Sequence, residues 1–512
     1  MEPAKSAVPR GTVYIGMQGA VTYVAYFVSY VVLTRLLTPV EIGKLPLLNA
    51  IMAVYGAITI LSLQTATTKF VSEYAGSGRL REASGVAWAA IRLVAAVSIP
   101  AFILLAFFSP QVSELIFGSR ADAGLVTLTL LAALVSDFGA LLVSLLWGLN
   151  LFSRMVTCNL AGVIMGRVFG LFLTWIGLRL PGFIIGWVIG STTVLALSIV
   201  YARPHLQTPS ERVPAKSMLA YSYPILFTAL IALVQSWADV TILYGLTGSL
   251  VSTGVYYLGL AGAGILSIIA GSLTSAIFPT LSAMYGRGDI ELFKEALRVS
   301  QRVLNVTVIP IGFALASVAS TAVTVAYGKA YLTATIPFAI LTASAIVPAY
   351  LALMVITLQA VGRTQPLIKI GSAAALTEVA LTATLVLPLN VVGSALARFG
   401  MSAVAVLLAY GCVKGTWWPR TDRTSLGKGL VLSALVSGVL FAFDSFTANA
   451  IPSLTPLGRI LLDGAVFLFV YASGLIALKP FVSQDIDLLK AALPPNLQGW
   501  LALAQRWIVS EQ

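Results

Sequence analysis

Residues 124–149 read GLVTLTLLAALVSDFGALLVSLLWGL, an apolar run in which Asp137 is the only charge. A helix needs roughly 20 apolar residues to cross a bilayer. Similar long runs recur along the whole chain, whereas a transmembrane β-barrel would show weak alternation over segments of about ten residues. The sequence therefore predicts an all-α membrane protein with fourteen transmembrane helices.

The predicted spans leave only short connecting segments. The longest segments on the outer side are about residues 109–122 and 449–456, so no separate domain fits outside the membrane. Span boundaries predicted in this way are good to about 2–4 residues. The spans lie at ~11–37, 44–68, 86–108, 123–149, 156–178, 182–202, 218–246, 253–279, 303–326, 333–361, 367–388, 391–413, 429–448 and 457–478.

Composition excludes several classes of protein. The chain is 58% apolar and 10% charged, whereas soluble domains carry about 25% charged residues. Cys158 and Cys412 lie in separate apolar runs, and His205 is the only histidine, so neither a disulfide framework nor a zinc site of the HExxH kind is possible. The chain has no GxxxxGK[ST] loop for nucleotide hydrolysis. We predict no metal and no cofactor.

The basic residues set the orientation. With the N-terminus inside, the inner segments carry 22 Lys and Arg and the outer segments carry 5. This bias is typical of cytoplasmic loops, and it explains the formal charge of +12 without nucleic acid as a partner. Both termini are then cytoplasmic. The first run is too long for a signal peptide, so it is interpreted as a retained helix.

The two halves of the chain share the spacing of three landmarks. From the first to the second landmark there are 36 residues in one half and 38 in the other, and from the second to the third there are 76 and 77. Apolar helices of equal length can also align by chance. The landmark pairs are Thr38 with Thr247, Tyr74 with Tyr285, and Asn150 with Gly362.

The repeat predicts the domain organisation. Six spans is an even number, so both copies enter the membrane from the same side and are related by a pseudo-two-fold axis along the membrane normal. Residues 1–212 form an N-lobe of spans 1–6, and residues 213–420 form a C-lobe of spans 7–12. Residues 421–480 add spans 13 and 14 outside the lobes, and 481–512 form an amphipathic cytoplasmic tail with Leu488, Leu489, Trp500, Leu503 and Trp507.

Five short motifs carry a family resemblance. They are RLLTPVEIG at 35–43, TKFVSEY at 68–74, FPTLS at 278–282, YGKAY at 327–331 and QAVGRT at 359–364. In order and spacing they resemble the motifs of oligosaccharide flippases of the Wzx type, over about residues 10–480. The chain departs from the usual pattern at Thr38, Ile42 and Lys69, where glycine, an aromatic residue and arginine are commoner.

The resemblance implies both fold and cargo. The Wzx-type proteins belong to the multidrug/oligosaccharidyl-lipid/polysaccharide exporter superfamily. Membership implies two six-helix lobes and a lipid-linked oligosaccharide as the cargo, carried from the inner to the outer leaflet for cell-surface polysaccharide biosynthesis without enzymatic chemistry. Superfamily members often have a cation site, in some cases with a carboxylate on span 7. The other expected partners are membrane lipids, and the protein is expected to be a monomer.

Three arginines are the candidates for binding an anionic head group. A charge at bilayer depth costs at least about 2.5–3.5 kcal/mol, so such side chains usually face a cavity or a partner. Arg167 lies in mid-span, and Arg35 and Arg92 lie near span ends. Arginine can bind pyrophosphate through two parallel hydrogen bonds. Two alternatives stay open: Arg167 pairs with Asp137, and the other two reach the interface by extending their side chains.

Four polar residues of the second half are the candidates for coupling. Asp239 and Glu378 lie in spans 7 and 11, and Asn390 and Ser394 lie four residues apart at the start of span 12. Their oxygens could bind Na⁺, or the carboxylates could exchange H⁺. The alternative is that each carboxylate pairs elsewhere, for example with Arg398.

Two other functions compete with the flippase. A multidrug exporter of the same superfamily usually has twelve spans and a cavity suited to cations, unlike the basic first lobe here. A membrane glycosyltransferase or ligase would need an acidic motif in a long outer loop, but Asp122 and Asp444 are isolated.

Overall fold

The computed structural model describes residues 4–206, 215–419, 422–451, 453–482 and Asp485. The described part contains nineteen α-helices, several of which share one span. They are α1 (Ala4–Leu36), α2 (Pro39–Ile60), α3 (Leu63–Gly76), α4 (Leu80–Phe107), α5 (Ser109–Phe117), α6 (Ala123–Gly148), α7 (Phe152–Leu173), α8 (Arg179–Ala202), α9 (Ala215–Thr247), α10 (Leu250–Ala263), α11 (Ile265–Arg287), α12 (Ile290–Ser317), α13 (Ala319–Tyr327), α14 (Thr335–Ala343), α15 (Ile346–Ala360), α16 (Gln365–Leu389), α17 (Val391–Val413), α18 (Arg423–Ala450) and α19 (Pro456–Leu478).

The number of spans agrees with the sequence. Thirteen helical stretches of the described residues are long and apolar enough to cross a membrane, and one of them runs through Phe152–His205. That stretch bends sharply between α7 and α8, where Gly177 has φ 105° and Arg179 has φ 48°. It therefore holds two spans, and the prediction of a fourteen-span, all-α membrane protein is confirmed. The predicted amphipathic part of the tail lies outside the described residues.

Helices α7 and α8 form a hairpin in which glycines let the two backbones contact each other. A Cβ atom on Gly166 would lie 2.9 Å from the carbonyl oxygen of Gly186, and one on Gly190 would lie 2.7 Å from that of Gly162. No side chain fits between backbones this close. Gly162 and Gly166 are thus buried where the two helices cross.

The second span is broken between α2 and α3. Leu61 and Ser62 both have left-handed backbone conformations, with φ 49° and 56°. Each non-glycine residue held there costs on the order of 1–3 kcal/mol. The surrounding contacts must offset this strain, so the break is a specific structural feature of the span that packing stabilises.

The chain packs into two compact units, Met1–Gly254 and Val255–Gln512. Helix α9 belongs to the first unit, where Met218 is fully buried and Tyr221 packs edge-on against Phe70 with ring centroids 5.7 Å apart. These units are defined by how the helices pack, whereas the predicted lobes are defined by the sequence repeat, so the units do not test the lobe boundaries. The lobe boundaries at 212 and 420, and the pseudo-two-fold axis, therefore stay predictions.

Each unit has its own apolar core. In the first, Leu63, Val86 and Leu146 from α3, α4 and α6 are fully buried. In the second, α18 packs on α12, because Gly429 lets its backbone approach the carbonyl group of Asn305. The hydroxyl of Tyr471 on α19 donates to the Val306 carbonyl oxygen at 2.9 Å. Spans 13 and 14 are thus attached to span 9 through α12.

Candidate functional site: a basic cavity and two buried carboxylates

The start of α2 shows what the first family motif does locally. Thr38 caps the helix: its side chain accepts from the Glu41 backbone N–H, and the Glu41 carboxylate accepts from the Thr38 N–H at 2.9 Å. This reciprocal arrangement is a capping box, and Pro39 fits the first helical position. Gly43 lies against the backbone of Leu250, where a side chain would clash. These residues of the motif position the helix.

Two ion pairs near this helix start were not found from the sequence. Arg179 donates to Glu41 through Nε at 2.9 Å and Nη2 at 2.6 Å, and Lys44 contacts Asp122 at 2.6 Å. The partners are separated by 138 and 78 residues. No local pattern in a single sequence connects residues so far apart.

Arg167 lines a cavity of about 410 Å³ in the first unit. Its guanidinium carbon lies 3.8 Å from the ring centroid of Tyr26 and 5.1 Å from that of Phe183. Such cation–π contacts partly offset the loss of water around the charge. The side chain is only 8% exposed, so α7 holds a desolvated positive charge beside a cavity.

The lining of this cavity suits an anion. The Nη1 of Arg167 and the Nε1 of Trp187 are buried donors that make no hydrogen bond within the described part of the chain. Buried donors without partners are costly and are found at binding sites. The lining has no acidic side chain in the part of the chain described. Its polar residues are Gln18, Thr22, Tyr26, Asn49, Ser136, Asn159, Arg167, Trp187 and Ser191.

The two other head-group candidates lie elsewhere. Arg35, in the last turn of α1, and Arg92, on α4, are exposed, and neither lines the cavity of Arg167. The Nε of Arg92 donates to the carbonyl oxygen of Trp88, one turn earlier, at 3.2 Å. The structure does not bring the three arginines together in one lining.

Asp137 does not pair with Arg167. It lies near the middle of α6 and is 4% exposed. Its Oδ2 accepts from Thr59 Oγ1 at 2.6 Å and from Ser98 Oγ at 2.9 Å. Ser98 in turn contacts the Tyr55 hydroxyl at 2.9 Å. The sequence identified the carboxylate but missed its hydroxyl partners, which come from two other helices.

Glu378 forms an ion pair with Arg398, which was the alternative predicted from the sequence. Its Oε1 lies 3.4 Å from Arg398 Nε, across the contact between α16 and α17, and the Glu378 side chain is fully buried. Thr382 and Ser394 are also fully buried, and the hydroxyls of both lack hydrogen-bond partners in the part of the chain described. Buried oxygens are thus concentrated between these two helices.

The remaining coupling candidates are Asp239 and Asn390. Asp239 is fully buried on α9 in the first unit, where its Oδ1 accepts from the Val240 N–H at 2.7 Å. Asn390 is exposed with φ 48°, and α17 begins one residue after it, so it does not share a helical face with Ser394. The joint cation site stays a prediction.

The chain belongs to a family described as "Polysaccharide biosynthesis protein", which matches residues 32–336, more than half of its length. No curated protein matches the chain. The apolar helices of the described residues make the chain a multi-pass membrane protein.

Solved structures share the fold at low sequence identity. The chain is similar to the lipid II flippase MurJ in an inward closed conformation, with TM-score 0.66, 16% identity, and coverage of 91% of this chain and 97% of that one. It is also similar to an inward-facing multidrug resistance MATE transporter of the MOP superfamily, with TM-score 0.61, 12% identity, and coverage of 76% and 93%. For a Vibrio cholerae MATE transporter the values are 0.56, 14%, 80% and 98%.

Proposed function

We propose that the protein is a flippase that carries a polyprenyl (pyro)phosphate-linked oligosaccharide from the inner to the outer leaflet by alternating access. The cavity of Arg167 is the observation that carries the proposal. A phosphate group accepts hydrogen bonds and carries negative charge, and this cavity offers a desolvated guanidinium and an indole N–H. Membership of the polysaccharide biosynthesis family supports the same class of cargo.

Within this proposal, Arg167 binds the phosphate end of the cargo. Arg35 and Arg92 are exposed, so we assign them a role in a step before binding, in which they attract the anionic head group toward the protein. The protein acts without enzymatic chemistry, as a monomer, with both termini in the cytoplasm. Asp239, Glu378, Asn390 and Ser394 remain the proposed residues for coupling to Na⁺ or H⁺.

A multidrug exporter is the competing proposal, supported by the MATE transporters among the similar structures. Many drugs of that class are cations, and a cation would have to enter a cavity that already holds the Arg167 charge. The absence of an acidic residue from the described lining favours an anionic cargo.

The proposal is tested with purified protein in vesicles that contain a fluorescent polyprenyl pyrophosphate oligosaccharide. Arg167→Ala should abolish its movement between leaflets, and Arg167→Lys should restore it only in part because the bidentate geometry is lost. Arg120→Ala is the matched control, because Arg120 pairs with Glu114 on the exposed surface. Full movement of the cargo with Arg167→Ala would contradict the proposal, as would transport of a cationic dye that outcompetes the lipid.

A further inference from the structure

Asp137 forms a carboxylate site that the proposed function does not use. One oxygen, Oδ2, accepts from two hydroxyls. The other, Oδ1, makes no hydrogen bond within the described residues. It lies beside Gly56, where even an added Cβ would come no closer than 3.5 Å. In the part of the chain described, no basic side chain lies within ion-pair distance of Asp137. The Asp137 carboxylate is therefore almost fully buried, with Oδ2 hydrogen-bonded and Oδ1 able to accept a further hydrogen bond.

This carboxylate lines a cavity of about 450 Å³. Most of the residues that line it differ from those that line the cavity of Arg167. Gln64, Thr65 and Ser136 make part of the wall polar. A polar cavity of this size is large enough for water. The wall also includes Ile60 and Ser62, so the cavity reaches the strained break between α2 and α3.

The hydrogen-bond network can satisfy both protonation forms of Asp137. In the ionised form, Thr59 and Ser98 each donate to Oδ2. In the neutral form, the new carboxyl O–H donates to Thr59 Oγ1. The Thr59 hydrogen then turns to the carbonyl oxygen of Tyr55, which already lies 2.8 Å away. One proton is added from the cavity, and the hydroxyls of Thr59 and Ser98 keep a hydrogen-bond acceptor in both forms.

We propose that Asp137 is a proton-binding site of the first unit, separate from the residues proposed for coupling above, and that its protonation controls the break between α2 and α3. Thr59 is the second residue before Leu61, and it links α2 to α6 through Asp137. A hydrogen bond to a carboxylate is about twice as strong as one between neutral groups. Protonation therefore weakens the link between these helices beside the strained segment. The proposal does not depend on the identity of the cargo.

The other titratable groups near α6 mostly lie outside the network and the cavity of Asp137. Tyr55 is the only one in the described part of the chain that joins the network, and Asp137 is the only one lining the cavity there. The remaining groups on the helices around it have other contacts or positions. These are Glu41 with Arg179, Lys44 with Asp122, Lys69 with Glu73, Tyr74 with Arg79, Glu114 with Arg120, Arg154 with Tyr201, Arg167 with Tyr26, and also Arg81, Glu82, Arg92, Cys158, Lys216, Tyr221, Tyr223, Asp239 and Tyr244.

Infrared difference spectroscopy of the purified full chain tests the site directly. Acidification should produce a carboxylic C=O stretching band that is missing in Asp137→Asn and retained in Asp239→Asn. Thr59→Val should shift the frequency of the same band, because the carboxyl loses its hydroxyl partner. A pH series for Asp137→Asn identical to that of the unmodified protein would overturn the site. So would a band whose frequency is unchanged by Thr59→Val.

Thiol labelling tests the coupling to the break. Gln64→Cys places a thiol on α3 at the cavity wall, in a chain whose exposed Cys412 is replaced by serine. The alkylation rate at this thiol, divided by the rate at a Ser153→Cys thiol at the same pH, should change several-fold between acidic and neutral pH, and Asp137→Asn should remove that relative change. A Ser153→Cys control on α7, away from this cavity, should report only the intrinsic thiol chemistry. An equal pH dependence at Gln64→Cys with and without Asp137 would overturn the coupling.

Discussion

Asp137 of the first unit and Glu378 of the second are two buried carboxylates with different partners. Each lies near the middle of a helix that spans the membrane, and neither is more than 4% exposed. Asp137 is surrounded by hydroxyls, whereas Glu378 lies 3.4 Å from the guanidinium of Arg398. A hydroxyl can donate or accept, but a guanidinium can only donate and stays charged. The first arrangement permits a change of charge, and the second depends on both charges remaining.

Neutral isosteres give the largest expected contrast between these two sites. Glu378→Gln should lower the free energy of unfolding by about 3–5 kcal/mol, because it removes one partner of a buried ion pair. Asp137→Asn should cost about 1 kcal/mol or less, because an amide can still accept from the hydroxyls. Chemical unfolding of both variants in detergent micelles measures the difference.

The double variant Glu378→Gln with Arg398→Met is the control for this contrast. Replacement of a whole buried ion pair by apolar groups is often neutral, so the second substitution should recover part of the lost stability. Equal losses for Glu378→Gln and Asp137→Asn would contradict the distinction drawn between the sites.

A third carboxylate site, at the start of α18 beside the middle of α12, should respond to pH in the way expected of an ion pair. Arg302 donates to Asp422 at 2.6 Å and to Asp485 at 2.8 Å. Burial opposes ionisation of Asp422, but the Ser425 N–H and the Arg302 guanidinium outweigh it, so the pKa of Asp422 lies below its usual value.

The sign of the pH effect follows from that lowered pKa. The stabilisation is complete above the ordinary aspartate value of about 3.9 and is lost as the pH falls through the lower pKa of the folded protein. Asp422→Asn should remove this part of the acid sensitivity and cost about 1–3 kcal/mol at neutral pH. Unfolding midpoints across an acid series measure both, and an unchanged acid sensitivity in Asp422→Asn would contradict the assignment.

The smallest expected effect concerns how Arg167 is held without a carboxylate. Tyr26→Leu should destabilise the protein by about 1 kcal/mol, since it removes the closer of the two aromatic contacts. In an Arg167→Ala background the same substitution should cost less. A double-mutant cycle on unfolding measures this coupling, and a coupling energy of zero would mean that the ring does not hold the charge.

The spans were predictable because each is encoded locally. Residues 124–149 are apolar for longer than any soluble helix needs, and α6 covers almost the same range. Arg167 could be found in the same way, as a charge within an apolar run. The long first motif also marked a real helix start, at Pro39.

The partners of the buried charges could not be predicted because they depend on packing. Thr59 and Ser98 are ordinary small residues of apolar spans, and only the approach of α2 and α4 to α6 gives them a role. The break at Leu61 and Ser62 has no glycine or proline to mark it. The positions of Arg35 and Arg92 near span ends were visible in the sequence, but whether they line the cavity of Arg167 depends on how the helices pack.

The glycine hairpin of α7 and α8 has a consequence for the variation that this chain can tolerate. Gly162, Gly166, Gly186 and Gly190 meet backbone to backbone, so even alanine would force the helices apart. A library of all single substitutions should therefore be depleted of every replacement at these positions. Arg167, which we propose to bind the cargo, directly follows Gly166, so the proposed selection for cargo and the selection for helix contact act on adjacent residues. Sequence drift should be slowest in this segment, even between proteins that carry different sugars.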